Sequence, residues 1–247
     1  MNTHISPALI MRIKEFGESD LLVTFFTSDY GRLQGIAKGA RKSRKRFANC
    51  LDLFCLTNLE YNLKRTGGLH FLHSCKLLDT FPGLRSDFFS LSLASYFVEL
   101  TEILFPLNVA DNNMFELLKN SFIFLGTEIK SNIIRIQFET KAMVYGGYEI
   151  KLDKCILCGR KYNGEGRAVF IRSKGGIACM RCEKESKFSP VLDPETVKEL
   201  TSIQSSPLSK RKMLHQTEKT ISEISQVLKL HMGYHIGKKL KSSKYIE

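Results

Sequence analysis

The sequence has no long hydrophobic run, and its N-terminal residues lack the pattern of a secretion signal. No stretch of about eighteen apolar residues occurs, so we expect no membrane-spanning helix. Residues 1–20 show no basic start followed by a long apolar block and a small-residue cleavage site, which argues against a signal peptide. The sequence therefore favours a soluble, cytoplasmic protein.

The sequence also lacks the short motifs that mark common catalytic sites. There is no G-x-x-x-x-G-K-[ST] phosphate-binding loop, no HExxH motif and no GxSxG nucleophile elbow. His231 and His235 are four residues apart, but no third metal ligand lies near them in the sequence, so surface or packing histidines are the simpler interpretation. We therefore predict that the protein is not an enzyme.

Acidic residues are outnumbered in this chain. Its 37 lysines and arginines stand against 25 aspartates and glutamates, which gives a formal net charge of +12. A surplus of this size favours polyanionic partners, most often nucleic acid and sometimes an anionic membrane surface.

Two Cys-x-x-Cys pairs supply the most specific motif, Cys155/Cys158 and Cys179/Cys182, with twenty residues between the pairs. Four thiolates are the tetrahedral set that structural zinc prefers, and a closed set leaves no position for substrate. The sequence thus predicts one structural Zn²⁺. Two disulfides or four unrelated buried thiols are the alternatives. The other three cysteines, Cys50, Cys55 and Cys75, are expected to be small buried thiols.

Residues 1–80 are rich in β-forming residues that are interrupted by turn signals. The pattern predicts five short antiparallel strands, at 8–14, 21–27, 32–38, 51–62 and 69–77. Five strands in about eighty residues fit a small barrel such as the OB-fold, with an SH3-like barrel as the rival.

The hydrophobic period changes to that of helices after residue 85. We expect helices at 87–105, 112–126 and 131–145, one beginning at Asp193-Pro194-Glu195, and a last one at 216–234, with a short strand at 167–172. The predicted fold is α+β: an N-terminal five-stranded OB-fold barrel followed by an α-helical domain with an inserted four-cysteine zinc element. The corresponding boundaries are 1–80 for the nucleic-acid-binding barrel, 81–150 and 186–247 for the helical domain, and 151–185 for the zinc element.

A basic run at residues 32–46 contains no acidic residue. Its cations are Arg32, Lys38, Arg41, Lys42, Arg44, Lys45 and Arg46. A solvated charged loop is one interpretation. Given the charge of the whole chain, we favour contact with nucleic-acid phosphates, with Tyr30, Phe47 and Phe54 near enough in sequence to stack on bases.

The chain resembles the RecO family of bacterial recombination mediators. That family has the pattern G-E-x-D-x-L-V-x-x-F-T-x-x-x-G-R-x-x-x-x-A-K-G-A-R, and this chain has GESDLLVTFFTSDYGRLQGIAKGAR from Gly17 to Arg41. The four cysteines, Gly147-Tyr148 and the closing residues 235–242 also follow the family, although Lys239 stands where the family often has proline.

The resemblance implies recombinational DNA repair without bond-breaking catalysis, and a cytoplasmic, nucleoid-associated location. Members of this family bind single- and double-stranded DNA, anneal complementary strands, and act with RecR to load RecA onto DNA covered by single-strand-binding protein. The resemblance also implies that DNA binds along the basic run. The segment IIRIQFETKAMVYGGY resembles the helix that holds the acidic C-terminal tail of single-strand-binding protein, with Arg135 as the candidate cation.

Two other classes of protein remain as alternatives. A zinc-ribbon transcription factor would carry basic residues around its cysteines, and this chain has Arg160, Lys161, Arg172, Lys174 and Arg181 there. A nuclease or ligase accessory enzyme would need clustered carboxylates or a nucleophilic lysine, which the sequence does not indicate.

Overall fold

The computed structural model describes residues 3–63, 68–206 and 217–246. The chain divides into two compact units, residues 1–126 and residues 127–247. The division that the sequence suggests, into a barrel, a helical domain in two parts and a zinc element, remains a prediction.

The first unit is built on a closed barrel of five strands. These are β1 (Thr3–Phe16), β2 (Asp20–Thr27), β3 (Gly31–Ala37), β4 (Leu56–Asn62) and β5 (His70–Asp79). Their order around the barrel is β1-β2-β3-β5-β4, and β4 pairs back to β1. β3 and β5 run parallel, whereas the other neighbours are antiparallel. This is the strand order of an OB-fold, so the predicted barrel is confirmed and the all-antiparallel pairing was wrong.

Alternating burial along the strands fills the barrel. In β4 every second residue points inward, and Leu59 and Tyr61 are fully buried with Phe25 and Leu72. β4 begins at Leu56 rather than at residue 51, because Phe54 has a positive φ of 65° and the chain turns there before it enters the barrel.

Two helices complete the first unit, α1 (Phe88–Leu104) and α2 (Asn112–Leu125). Asp87 and Asp111 cap them, each accepting a hydrogen bond from the backbone N–H three residues later. Gly83 lies against Gly126, where a Cβ on Gly83 would come within 2.5 Å of the Gly126 Cα, so the backbone of the turn at Pro82–Arg85 touches the end of α2.

The second unit contains three helices and a small ribbon. The helices are α3 (Ser131–Tyr145), α4 (Pro194–Ser205) and α5 (Glu218–Ile236). The strands β6 (Ala168–Ile171), β7 (Gly176–Cys179) and β8 (Val191–Leu192) pair antiparallel in the order β7-β6-β8. The structure thus confirms the predicted architecture, a five-stranded barrel followed by helices with an inserted cysteine ribbon. Residue 216, the expected start of the last helix, lies outside the described residues.

Two buried polar contacts tie the chain next to the ribbon to the helices. The Gln204 side chain of α4 donates to the Ile150 carbonyl oxygen at 3.0 Å and accepts from the Ile150 N–H at 3.2 Å. His231 of α5, fully buried, lies 2.7 Å from the Tyr148 carbonyl oxygen through Nε2. A carbonyl oxygen can only accept, so Nε2 carries the proton. The ring of Phe170 in β6 meets His231 edge-on at 5.9 Å, which makes α5 part of the ribbon's support.

Within residues 3–63, 68–206 and 217–246, no helix has both the length and the hydrophobicity that crossing a bilayer requires.

The buried His231 predicts an acid-sensitive stability. The pKa of His231 is lowered to about 4, mainly by burial and to a smaller extent by the neighbouring His235, against the raising effect of the hydrogen bond to the Tyr148 carbonyl. At pH values between about 4 and the ordinary histidine pKa of about 6.5, His231 binds a proton in the unfolded chain but not in the folded chain. Stability is therefore fully present above about pH 6.5 and decreases as the pH falls towards 4, by about 2 kcal/mol between pH 7 and pH 5.

Denaturant unfolding at both pH values tests this in the parent and in His231→Gln, which keeps a donor for Tyr148. Protonation of the cysteines affects both proteins equally, so the comparison isolates His231. The variant should lose less stability over this interval, and an equal loss in the two proteins would contradict the assignment.

Candidate metal centre and nucleic-acid interface

The four cysteines of the two Cys-x-x-Cys pairs converge at one end of the ribbon. Their sulfur atoms all lie within 4.8 Å of one another, and the Sγ atoms of Cys158 and Cys179 are 4.0 Å apart. A tetrahedral metal with bonds of about 2.3 Å to sulfur separates its ligands by about 3.8 Å. The arrangement is therefore one that can hold a metal ion, and it excludes four unrelated buried thiols.

Tight turns bring each pair together. Gly159, with φ of 74°, donates its N–H to the Cys155 carbonyl oxygen at 2.8 Å, and the Cys182 N–H donates to the Cys179 carbonyl oxygen at 2.9 Å. Cys179 is also the last residue of β7 and pairs with Ala168, so the sheet fixes the second turn. All four of these cysteines are unbonded, which disfavours the interpretation as two disulfides.

The ionisation of these thiols favours a cation between them. Burial raises the pKa of Cys155, but backbone N–H groups of Cys158, Cys179 and Leu157 donate to its sulfur and lower that pKa to about 6. Hydrogen bonding to Cys179 and Cys158 raises the pKa of Cys182 to about 12. Four adjacent thiolates are therefore unfavourable on their own, and a bound metal cation would supply the missing compensation.

Two other cysteines depart from the prediction. Cys50 and Cys75 form a disulfide, so the expectation that they are free buried thiols was wrong. Cys55 is a free buried thiol as expected. The missed pair joins residues 25 positions apart, and only the folded barrel brings β5 next to the segment that precedes β4.

The basic run leaves the end of β3 and forms the first half of the β3–β4 connection, residues 38–55. Six of its seven cations are exposed: Lys38, Arg41, Lys42, Arg44, Lys45 and Arg46. Lys42, Arg44 and Lys45 make no ion pair with any residue in the described part of the chain. The connection therefore presents uncompensated positive charge to solvent.

The connection is anchored to the barrel at both ends. The Asp20 carboxylate accepts from the Gly39 N–H at 2.8 Å, and the Arg41 N–H donates to the Ser19 carbonyl oxygen at 3.0 Å. Further on, Phe47 and Cys50 belong to the barrel core. Sequence reasoning identified the cations of this segment and missed Asp20, although Asp20 and Gly39 both belong to the family pattern between Gly17 and Arg41.

Two arginines of the run have structural contacts as well. Arg41 pairs with the Glu15 carboxylate at 3.2 Å, and Arg46 donates from Nη2 to the Lys38 carbonyl oxygen at 2.9 Å. These contacts shape the loop, so the unpaired Lys42, Arg44 and Lys45 are the cations most available to a ligand.

Arg32 lies apart from the other six cations. It stands near the start of β3, about 20 Å along the strand from Lys38. There the loop after α1 packs on it, since the Asn108 N–H donates to the Arg32 carbonyl oxygen at 2.9 Å. Burial lowers the pKa of its guanidinium. The structure therefore does not bring Arg32 together with the rest of the basic run.

The aromatic residues expected to stack on bases are largely unavailable. Phe47 is only 4% exposed and Phe54 only 6%. Tyr30 is half-buried, with its hydroxyl 3.2 Å from His4 Nδ1. A better candidate is Phe71 on β5, half-buried and with its ring centroid 6.0 Å from Lys38 Nζ. Its position next to β3 depends on the parallel β3–β5 pairing, which the sequence did not reveal.

Arg135 lies on α3 in the second unit, one quarter exposed. Its Nε is 3.7 Å from the Glu139 carboxylate, and its Nη1 donates to the Ile246 carbonyl oxygen at 3.5 Å. Nε itself is buried and has no hydrogen-bond partner in the described residues. The guanidinium is thus only loosely satisfied by the chain's own groups.

A closed barrel with a cationic connection is followed by helices that carry a ribbon whose four cysteines can hold a metal ion. These features define an OB-fold protein with a four-cysteine ribbon. Comparison with protein families narrows that class. The model of the Recombination protein O N terminal domain matches residues 1–81, and the model of the Recombination protein O C terminal domain matches residues 85–244. The chain belongs to the RecO family of DNA repair proteins.

Individual relatives agree along the whole chain. The DNA repair protein RecO of Syntrophus aciditrophicus is 32% identical over 247 residues, covering 99% of this chain and 95% of the relative. That of Syntrophobacter fumaroxidans is 33% identical over 250 residues, covering 100% and 98%. That of Desulfatibacillum aliphaticivorans is 32% identical over 244 residues, covering 97% and 95%. The alternative of a zinc-ribbon transcription factor is not favoured by this result.

The converging cysteines predict one tightly held metal ion per chain. Cys158→Ser should remove the metal and lower the free energy of unfolding by about 4 kcal/mol or more, because a closed structural site contributes directly to folding. Met180→Ser is the matched control, since Met180 lies in the second turn, is exposed and is not a ligand. Elemental analysis and denaturant unfolding check both variants. Full metal content in Cys158→Ser would show that the site does not need this cysteine.

Proposed function

We propose that this protein is a non-catalytic DNA-binding recombination mediator in DNA repair. It binds single- and double-stranded DNA, anneals complementary strands and, with RecR, helps to load RecA onto DNA coated with single-strand-binding protein. Such a protein works at the nucleoid, in the cytoplasm. Membership of the RecO family supports the proposal. The observation that carries it is the exposed, uncompensated cations on the anchored β3–β4 connection.

The chemistry of the basic run suits the phosphate backbone. Lysine and arginine side chains that neutralise phosphates release condensed counterions, which gives affinity without sequence preference. Long side chains projecting from one connection carry charge but little fixed geometry for reading bases, so they position the strand without selecting its sequence. The same cations lower the repulsion between two strands, which is the physical requirement for annealing.

We assign the metal as a single structural Zn²⁺ held by Cys155, Cys158, Cys179 and Cys182. Four thiolates in a tetrahedral set suit zinc, and they leave no coordination position for substrate or water. When bound, the ion supplies a cross-link between the turn before β6 and the turn after β7.

We place the partner site on α3 around Arg135. The acidic C-terminal tail of single-strand-binding protein ends in a carboxylate, and an arginine can bind such a group with two parallel hydrogen bonds. The loosely satisfied guanidinium supports this assignment, because within the described residues a peptide carboxylate has only the Glu139 contact at 3.7 Å and the long bond to Ile246 to displace.

The basic run predicts a steep salt dependence of DNA affinity. Replacing Lys42, Arg44 and Lys45 by alanine should reduce the log–log slope on single strands by about 2, at about 0.7 per phosphate contact. Strand annealing should slow in parallel. Fluorescence anisotropy at several salt concentrations measures the slope, and a quenched-duplex assay measures annealing.

A triple variant with the same change in charge, Lys119→Ala, Lys130→Ala and Lys198→Ala, is the control. These lysines lie outside the run. The exposed pair of Lys130 with Glu218 contributes little to stability, and the half-buried Lys119 pairs with Glu116 one helical turn away, a kind of pair that contributes only a few tenths of a kcal/mol. If both triple variants shift the slope equally, the effect comes from net charge and not from the run.

The partner site predicts separable effects on peptide and DNA binding. Arg135→Glu should weaken binding of the tail peptide of single-strand-binding protein by at least about tenfold, because charge reversal places two carboxylates together. Affinity for bare single-stranded DNA should remain near that of the parent. Lys130→Glu makes the same change in charge just before α3 and should leave peptide binding intact. Calorimetric titration with the peptide decides this, and unchanged affinity in Arg135→Glu removes Arg135 from the site.

A further inference from the structure

The ribbon has a charge surplus of its own, apart from the basic run. Residues 151–189 contain ten lysines and arginines and four aspartates and glutamates, a surplus of six. Half of the net charge of the chain thus lies in about a sixth of its length. A metal ion held by four thiolates would add two negative charges, which leaves a surplus of four.

This charge is almost entirely uncompensated. Among the described residues, Arg167 alone of these ten cations forms an ion pair, with Asp193. The remaining nine cations make no ion pair within the part of the chain that the structure describes: Lys151, Lys154, Arg160, Lys161, Arg172, Lys174, Arg181, Lys184 and Lys187. Eight of the nine are exposed and Arg172 is half-buried. A protein surface normally disperses such charges among acidic neighbours.

Two of the lysines are forced together by the backbone. Lys154 and Lys161 face each other in an antiparallel bridge, which is flanked by hydrogen bonds from the Cys155 N–H to the Arg160 carbonyl oxygen and from the Tyr162 N–H to the Asp153 carbonyl oxygen, both 2.8 Å. Residues directly opposite in such a bridge have Cβ atoms about 5 Å apart, and like charges there are destabilising. An anion between the two ammonium groups removes that repulsion.

Further cations lie beside the four cysteines, at the end of the ribbon that can hold the metal. Arg160 follows Cys158 by two residues, and Arg181 lies between Cys179 and Cys182. Because the four sulfur atoms lie within 4.8 Å of one another, the backbone places these two arginines at the same end of the ribbon. Leu157 and Met180, both exposed, stand in the same two turns. Cations beside exposed apolar side chains suit a phosphate backbone whose sugars and bases need apolar contact.

We propose that the metal-binding end of the ribbon is a second nucleic-acid surface, on which Lys154 and Lys161 hold one backbone phosphate between them and Arg160 and Arg181 contact the neighbouring ones. The proposal rests on the DNA-binding function proposed above and adds a second place of contact. The sugar-phosphate backbone is common to single strands and duplexes, so the experiment includes both.

The test uses the full chain with Lys154→Ala and Lys161→Ala combined. Since the two lysines share one phosphate, the slope of log affinity against log salt should decrease by about 0.7 on oligothymidylate and by about 0.9 on a duplex of equal length. The control, Lys130→Ala with Lys198→Ala, makes the same change in charge on the helical part of the same compact unit and should leave both slopes unchanged. Metal content and melting temperature are measured for each variant. A smaller slope on only one of the two nucleic acids would support the proposed surface and show whether it binds single strands or duplexes.

The two proposals fail in different ways. If the parent shows no salt-dependent affinity for DNA, the proposed function fails and this inference with it. If the Lys42, Arg44 and Lys45 variant loses slope while the Lys154 and Lys161 variant keeps it, this inference alone is overturned.

A second measurement needs no substitution and covers a variant that does not fold. In the parent, oligothymidylate should slow acetylation of Lys154 and Lys161 relative to Lys130 and Lys198. Equal rates with and without oligothymidylate overturn the inference. Equal protection by polyglutamate of the same charge overturns it as well, because the surface would then accept any polyanion.

Discussion

The closure of the barrel through the parallel pairing of β3 with β5 is the constraint on which the proposed DNA surface depends. Because β5 lies between β3 and β4, the chain cannot pass from β3 to β4 by a short hairpin. It must cross the end of β5, and residues 38–55 make that crossing. Phe47 and Cys50 turn inward and join the barrel core, so the cations between them and β3 are left on the outside. The position of the charge thus follows from the strand order.

The cations of the basic run have different roles because their contacts differ. Arg41 is held by Glu15, and Arg46 by the Lys38 carbonyl oxygen, so these two side chains help to hold the connection in place. Lys42, Arg44 and Lys45 have no such partner in the described residues and add only charge. The cations of such a surface contribute little to the stability of the fold. Their charge is compensated only when an external anion binds. The ribbon shows the same property in the opposed Lys154 and Lys161.

Local signals in the sequence predict the elements well. The helices α1, α2 and α3 begin and end within one residue of the expected limits, because Asp87 and Asp111 cap two of them and Gly126 and Gly146 follow two of them. The four-cysteine cluster follows from its spacing alone, since each pair needs only a tight turn.

Features that depend on long-range pairing could not be predicted in this way. The Cys50–Cys75 disulfide, the parallel β3–β5 pair and the burial of Phe47 result from closing the barrel, and Phe54 is buried against Phe122 of α2. The separation of Arg32 from the run depends on strand length and on the loop after α1. In each case the sequence supplies the residue type, and the partner lies too far along the chain for a local pattern to indicate it.

Mapping the contact directly tests the central claim, that DNA lies on the β3–β4 connection. The parent protein would be photo-cross-linked to an oligonucleotide that carries a reactive base at successive positions, and the attached peptides identified by mass spectrometry. Cross-links should occur in residues 38–46 and on Phe71 of β5, besides those expected on the ribbon, and should disappear at high salt. Cross-links confined to α1, α2 or the helices of the second unit, with none on the connection, would contradict it.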